Sequence, residues 1–352
     1  MTAAMTGDTP VYIIKSDPVP ERYARGWHCL GLASDYGTQP VQLNYFGKKL
    51  VAYRGADDNE IHILDAYCPH MGADLSKGKV CGNHLVCPFH AWVWGEDGFC
   101  KDIPYAKRVP PKARIKSWPT TVQNGLLFVW NDPEGNPPIP EQLPKRSEDY
   151  YSGEWTDWNM AKLTIHSNCR ELVDNMADMA HFGPVHYSKV HTFKNIQDGH
   201  RFIQHMSGGH EILAEEGQIF TSVATYEGPA YMTTTMTGSM EGHEVVTHLL
   251  VTHVPVNTEQ FDIRFGVMMK KNPALSAEEN QAAVDAYTQM CIDSFIQDVE
   301  IWNNKIRVDN PLLCDGDGPV NMVRKWYSQF YMDVADIPAA LKGYKEHVTL
   351  PR

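Results

Sequence analysis

Four metal-capable side chains fall in one short stretch, Cys68-Pro-His70 and, after sixteen intervening residues, Cys87-Pro-Phe-His90. Each loop offers one thiol and one imidazole, a pattern that points to metal binding rather than to a disulfide. Zinc accepts two Cys and two His, but zinc ribbons and fingers usually start from a Cys-x2–4-Cys knuckle, which neither loop has. A [2Fe–2S] centre with two Cys on one iron and two His on the other needs this mixed set, because neutral imidazoles replace two thiolate charges and raise the potential. Pro69 and Pro88 within the loops, with Gly72, Gly95 and Gly98 after them, suit tight turns that bring backbone close to sulfur. Cys81 and Cys100 lie outside the pattern and read as packed thiols.

A second concentration of metal-capable groups is NCRELVDNMADMAHFGPVH, from Asn168 to His186. The spacing predicts a helix from His166 to His181, on which Glu171, Asp174, Asp178 and His181 form one polar stripe. A solvated acidic face is the ordinary meaning of such a stripe. This one ends in a His, and Gly183-Pro184 is expected to break the helix before His186. Without a break, a spacing of five sets the two imidazoles about 140° apart. Two His and a carboxylate form the facial triad of non-haem Fe(II) oxygenases, whose remaining positions stay open for O2 and substrate.

The third ligand is sought on a later helix. Ser276-Ala-Glu-Glu279 is a capping box, and the helix it opens is expected to run to about Arg307, with Asn310-Pro311 beyond its end. Val284, Cys291 and Asp298 share one heptad position, flanked by Tyr287, Phe295 and Trp302, so Asp298 lies on the apolar stripe while Asp293 and Glu300 do not. A buried carboxylate is costly unless paired or metal-bound. This selects Asp298, with an internal salt bridge or cap as the alternative.

The elements that must position these groups fall into two sets. From Trp27 to Trp130, short apolar or alternating runs such as VQLNYFG, KLVAYRG, EIHILDAYC and GLLFVW, separated by Gly, Asp and Asn, predict a small all-β domain within residues 1–130. NDPEGNPPIPEQLPKR follows, too rich in Pro for a central strand or a helix, and residues 131–149 read as a linker. Residues 150–352 read as an α+β domain. Strand-like runs from Ile212 to Lys270 suit an antiparallel sheet, and the long helix is available to cover it.

The 352 residues, 43% apolar, can bury a substantial core without disulfide staples. No basic start with an apolar run and no stretch of eighteen apolar residues is present, so a soluble, cytoplasmic protein is expected. A net charge of −12 without a basic block argues against nucleic acid or an anionic membrane as partner. His191, His205, His248 and His253 read as packing or surface residues.

Cys-x-His-x16-Cys-x2-His, in CPHMGADLSKG and CPFHAWVWGEDG, resembles the motif of the N-terminal domain of Rieske non-haem iron oxygenases. RYARGWHCLG, SNCRELVDNMADMAHF, FIQDVEIWNNKIRVDNPLL and RKWYSQFYMDVADI narrow the resemblance to the oxygenase (alpha) components of bacterial 3-ketosteroid 9α-hydroxylases, over nearly the whole chain. The resemblance implies a helix-grip, START-like catalytic domain behind the Rieske domain. It implies that Cys68, His70, Cys87 and His90 bind the [2Fe–2S] cluster and that His181, His186 and Asp298 bind mononuclear Fe(2+). It further implies that Asp178 bridges the cluster of one subunit to the iron of its neighbour in a homotrimer.

The expected reaction is monooxygenation of a C–H bond in a bulky apolar substrate, a 3-ketosteroid at C9, with O2. Electrons would come from NAD(P)H through a separate flavin and iron–sulfur reductase, since no G-x-G-x-x-G motif is present here. A Rieske oxygenase or demethylase for a smaller aromatic or heterocyclic compound is the alternative substrate class. A Rieske electron carrier with a partner- or lipid-binding second domain, and a lipid-binding protein with structural zinc, are the readings from other classes.

Overall fold

The alternating runs of the first 130 residues form three antiparallel sheets in the computed structural model, which describes residues 11–16, 18–210, 219–240 and 243–351. Their strands are β1 (Gly26–Leu32), β2 (Val41–Tyr45), β3 (Lys48–Arg54), β4 (Ile61–Asp65), β5 (Lys79–Cys81), β6 (His84–Val86), β7 (Val93–Trp94), β8 (Cys100–Asp102), β9 (Ser117–Trp118), β10 (Thr120–Gln123) and β11 (Leu126–Asn131). The sheet orders are β1-β11-β10, β2-β3-β4-β9 and β5-β6-β7-β8. The Cys68 loop leaves β4 and the Cys87 loop joins β6 to β7. Cys68 and Cys87 belong to a core with Val51, Leu64, Leu75, Leu85 and Trp94, so both thiols are set in packed apolar surroundings.

The second half contains α1 (Glu148–Tyr151), β12 (Asn159–Ile165), α2 (Cys169–Asp174), α3 (Phe182–His186), β13 (Ser188–Asp198), β14 (Arg201–His210), β15 (Phe220–Glu227), β16 (Tyr231–Met240), β17 (His243–Pro255), β18 (Phe261–Met269), α4 (Ala277–Asn304), α5 (Val320–Ser328) and β19 (Tyr344–Thr349). Eight strands make one antiparallel sheet in the order β12-β18-β17-β16-β15-β14-β13-β19. The sequence places strands only from Ile212 to Lys270; the structure adds β12, β13, β14 and β19, while Ile212 lies outside the described residues. Strand β13, SKVHTFKNIQD, escapes an apolar pattern because two of its buried positions are the polar Asn195 and Gln197. Their amides satisfy loop carbonyls instead of solvent.

Helix α4 opens at Ser276 with both hydrogen bonds of the expected capping box. Its Val284 and Trp302 pack on Ile165, Ile263, Phe265 and Val267, which lays the helix across β12 and β18. It stops at Asn304, short of Arg307, because Lys305 and Arg307 turn away to pair with Glu171. Helices α2 and α5 cover another part of the sheet, with Val173, Val323 and Trp326, and Met176 just after α2, against Phe202 and Tyr226.

The halves share a core in which Trp27, Phe128 and Trp130 meet Trp155, Trp158 and Tyr231. The Pro-rich stretch between them is tied down rather than free. Asn124 Nδ2 donates to Lys145 O at 2.8 Å, the Ser147 amide donates to Asn124 Oδ1 at 2.8 Å, and the Lys145 amide donates to Glu227 at 3.0 Å. Among the described residues, no helix is long and apolar enough to cross a membrane.

Candidate metal centres

The two Cys–His loops are copies of one backbone turn. In each, the Cys amide donates to the carbonyl five residues on, Cys68 to Ala73 and Cys87 to Trp92, both at 2.9 Å. The Cys carbonyl accepts from the residue four on, Gly72 at 2.8 Å and Ala91 at 3.1 Å. That residue is left-handed in both loops, with φ of 76° at Gly72 and 55° at Ala91. The conformation suits Gly and costs a residue with a Cβ about 1–2 kcal/mol. The sequence marks Gly72 for such a turn but does not mark Ala91.

His70 and His90 lie at the tips of these turns with ring centroids 4.6 Å apart. His70 stacks on Trp92 at 4.7 Å, and the Trp92 indole N–H donates to Tyr105 Oη at 2.7 Å. The donor set fits a two-iron cluster. His90 Nδ1 is enclosed without a hydrogen-bond partner, as a nitrogen reserved for a metal must be. Burial, reinforced by Cys87, pushes the Cys68 thiol up to about 11, so its thiolate needs a cation beside it. Among the described residues, the one group of three or more such side chains with donor atoms all within 4.8 Å of one another is His181, His186 and Asp298. The four loop residues, two thiols and two imidazoles from a repeated turn, suit two irons side by side. Cys100 is a packed thiol, but Cys81 is exposed at the end of β5.

The second site corrects the predicted helix from His166 to His181. Helix α2 covers only Cys169–Asp174, and the chain then leaves helical geometry before α3 begins after His181. Side chains from the sheet take over the released carbonyls. Asn195 Nδ2 donates to Met176 O at 2.6 Å, and Gln204 Nε2 donates to the same oxygen at 3.1 Å. Gly318, at φ 79°, lies so close that a Cβ there would sit 2.1 Å from Ala177 O.

Gly183-Pro184 does not separate the two His; both residues lie inside α3. Pro184 is tolerated because it falls in the first turn, where its missing N–H has no intrahelical acceptor to lose. His181 caps this one-turn helix, His186 ends it, and their ring centroids are 5.3 Å apart.

The polar stripe is also dissolved. Glu171 pairs with Arg307 at 3.0 Å and Lys305 at 2.7 Å, and Asp174 pairs with Arg324 at 2.6 Å. Both carboxylates are buried, and they hold α2 to α5 and to the chain after α4 instead of facing solvent. Asp178 and His181 remain at the centre. His181 Nδ1 lies 2.8 Å from Asp178 O and 3.7 Å from its carboxylate. Burial opposes the charged forms, yet this contact holds the Asp178 carboxyl below its ordinary range and lifts the His181 imidazole above its own.

Asp298 lies on the buried face of α4, whereas Asp293 and Glu300 are exposed. Its Oδ2 is 3.1 Å from His186 Nε2. On the other side of that ring, His186 Nδ1 lies 3.3 Å from both Gln297 Oε1 and Ser294 Oγ. Both sit on α4 beside Asp298, and nothing in their residue types singled them out. The arrangement leaves Nε2 of His181 and of His186, with one carboxylate oxygen, for a single ion, which is the chemistry of a two-His, one-carboxylate iron site.

Two family models match the chain: the Rieske [2Fe-2S] domain over residues 26–119, and the 3-ketosteroid 9alpha-hydroxylase C-terminal domain over residues 129–331. A 3-ketosteroid-9-alpha-monooxygenase oxygenase component of Rhodococcus rhodochrous is 43% identical, covering 96% of this chain and 87% of its own. The protein of the same description from Mycobacterium tuberculosis is 42% identical, covering 99% and 92%. Dicamba monooxygenase bound to dicamba shares the fold at a TM-score of 0.65 and 17% identity, covering 87% of this chain and 97% of its own. The chain therefore belongs to the family of 3-ketosteroid 9α-hydroxylase oxygenase components, Rieske monooxygenases that work with a [2Fe–2S] cluster and a mononuclear non-haem iron.

Proposed function

We propose that the protein hydroxylates a 3-ketosteroid at C9, taking one atom of O2 into the substrate and drawing electrons from NAD(P)H through a separate reductase in the cytoplasm. One observation carries the reading: His181, His186 and Asp298, distant in sequence, present donor atoms within 4.8 Å of one another in a chain 43% identical to such oxygenase components. In this reading Cys68, His70, Cys87 and His90 hold the cluster, and His181, His186 and Asp298 hold the iron. When bound, the cluster stores the electrons and the iron supplies O2 activation.

The protein's own groups orient the ligands. Asp178 O fixes His181 with its Nε2 free, and Gln297 and Ser294 do the same for His186. The Asp178 side chain, 39% exposed, can reach a group outside its own chain. His70 and His90 stand among the exposed Met71, Phe89 and Tyr105, a surface suited to burial against another subunit. These features support the bridge from one subunit's cluster to the next subunit's iron in a homotrimer. The Asp178 carboxylate, 3.7 Å from His181 Nδ1, would then stand between that ring and a cluster imidazole of the neighbouring subunit.

The test is O2 consumption by the iron-loaded protein with its reductase across a panel of 3-ketosteroids, with product masses measured. Steroid-dependent uptake with a product heavier by one oxygen is expected. Uptake with no hydroxylated product from any steroid would redirect the assignment to a smaller ring substrate.

A further inference from the structure

Tyr67, next to the Cys68 loop, is exposed on a second surface feature. There a groove of about 790 Å³ runs along the seam between the halves, and its wall includes Tyr67, Lys48, Lys49, Arg114 and Lys116. On a chain with a net charge of −12, four cations around one groove form a local reversal of sign.

The cations are displayed rather than neutralised. Among the described residues, Lys48, Arg114 and Lys116 take part in no salt bridge, and Lys49 reaches only Asp74, at 3.9 Å. Aromatic rings hold them apart: Lys116 Nζ is 3.5 Å from the centre of the Trp118 ring, the Arg114 guanidinium 4.6 Å from that of Phe99, and Lys49 Nζ 5.5 Å from that of Tyr67. The Asp65 carboxylate in the groove accepts a hydrogen bond from the Trp118 indole at 2.9 Å. Partial burial and then the neighbouring Lys48 lower the Lys116 ammonium from its ordinary value, against the pull of Asp65.

Tyr67, 47% exposed, directly precedes Cys68, so the floor of the groove is one residue from a cluster thiolate. A positively charged surface flanked by the exposed rings of Tyr67 and Phe99 suits an oppositely charged protein face. None of the apolar residues around His70 and His90 lines this groove.

We propose that this groove is the docking surface for an acidic protein, the electron-donating reductase component. Its carboxylates meet Lys48, Lys49, Arg114 and Lys116, and one electron at a time passes from its reduced iron–sulfur or flavin group to the oxidised cluster beside Tyr67. The inference rests on the reading that electrons come from a separate reductase. It adds where that protein binds and what charge its face carries.

The test uses the full-length protein with its cluster loaded, mixed with NADH and the reductase component of the Rhodococcus rhodochrous system in a stopped-flow instrument that follows bleaching of the cluster. Lys48→Glu with Arg114→Glu should slow reduction about tenfold at low salt, and wild-type reduction should slow as the Debye length shrinks to about 8 Å. Lys48→Gln with Arg114→Gln should fall between, and Lys345→Glu, on β19, should behave as wild type. An unchanged cluster spectrum and unchanged reduction by dithionite show that the variants are folded. Equal rates for wild type and the Glu pair, or a rate indifferent to salt, would overturn the groove assignment. Failure of the proposed function reads out separately: dithionite-reduced wild type, given steroid and O2, would then form no hydroxylated product.

Discussion

The cluster loops and the iron site reach their geometry by different routes. Each loop is closed by two backbone hydrogen bonds within six consecutive residues, and the two loops repeat the same turn. The iron site takes two His from a one-turn helix and its carboxylate from α4, far along the chain, and depends on side chains to hold these pieces together. Asn195 and Gln204 satisfy the broken helix ahead of His181, while Glu171 and Asp174 anchor α2 through Arg307 and Arg324. A site built from local turns tolerates distant damage; a site assembled by tertiary contacts does not.

The largest test of this contrast removes one ligand from each site. Asp298→Ala should abolish hydroxylation and reduce the iron content from about three to about two per chain, with the brown cluster spectrum intact. Cys87→Ser should abolish turnover as well but lose the chromophore. Loss of the chromophore in the Asp298 variant would mean that the two sites are structurally coupled and the contrast is wrong.

Asp178→Asn comes next. The amide keeps the size and the backbone carbonyl that orients His181, so both metal sites should load. Turnover should still fall about a hundredfold, because the exposed carboxylate no longer bridges two imidazoles. Single-turnover product formation compared with the cluster oxidation rate checks this, and full activity would remove Asp178 from the electron path.

Smaller again is the effect of Arg324→Ala, which leaves Asp174 buried with its main partner gone. A stability loss of about 3–5 kcal/mol is expected, measured by denaturant unfolding. Iron affinity should weaken in the folded fraction while the cluster spectrum stays unchanged. Equal loss from both sites would show that α2 and α5 support the cluster half too.

The same difference decides what was legible in the sequence. Cys68, His70, Cys87 and His90 could be found by spacing because each pair lies within one turn. Asp298 could be found because a carboxylate on an apolar helical stripe is an anomaly that physics must explain. The helix predicted from His166 to His181 fails for the reason that the iron site is hard to read: its end is set by Asn195, Gln204 and Gly318, residues that announce nothing until the sheet is folded. Glu171 and Asp174 looked like metal-capable groups because their partners, Arg307 and Arg324, lie well over a hundred residues away. Ala91 shows the converse, a left-handed position filled by a residue with no preference for it, required by the repeated turn.

The mildest probe addresses the seam that joins the two regions. His28 on β1 and His253 on β17 are fully enclosed there; His28 Nε2 lies 3.1 Å from Ala24 O, and His253 Nε2 lies 3.4 Å from Tyr327 Oη. Burial lowers His28 to about 4 and His253 to about 3, the latter also through His28 itself. Both therefore stay neutral in the folded protein while the unfolded chain takes up protons below about pH 6.5. Stability should fall as the pH drops through 6.5, by about 1.4 kcal/mol per histidine in total between neutral pH and pH 5.5, and continue to fall until the folded-state values are reached. Denaturant unfolding between pH 7.5 and 5.5 measures the slope, and His253→Gln should flatten it. Because the seam belongs to both halves, the cluster chromophore and the protein fluorescence should be lost in one transition as the pH falls; two separated transitions would show that the catalytic half can unfold while the cluster loops keep their turns.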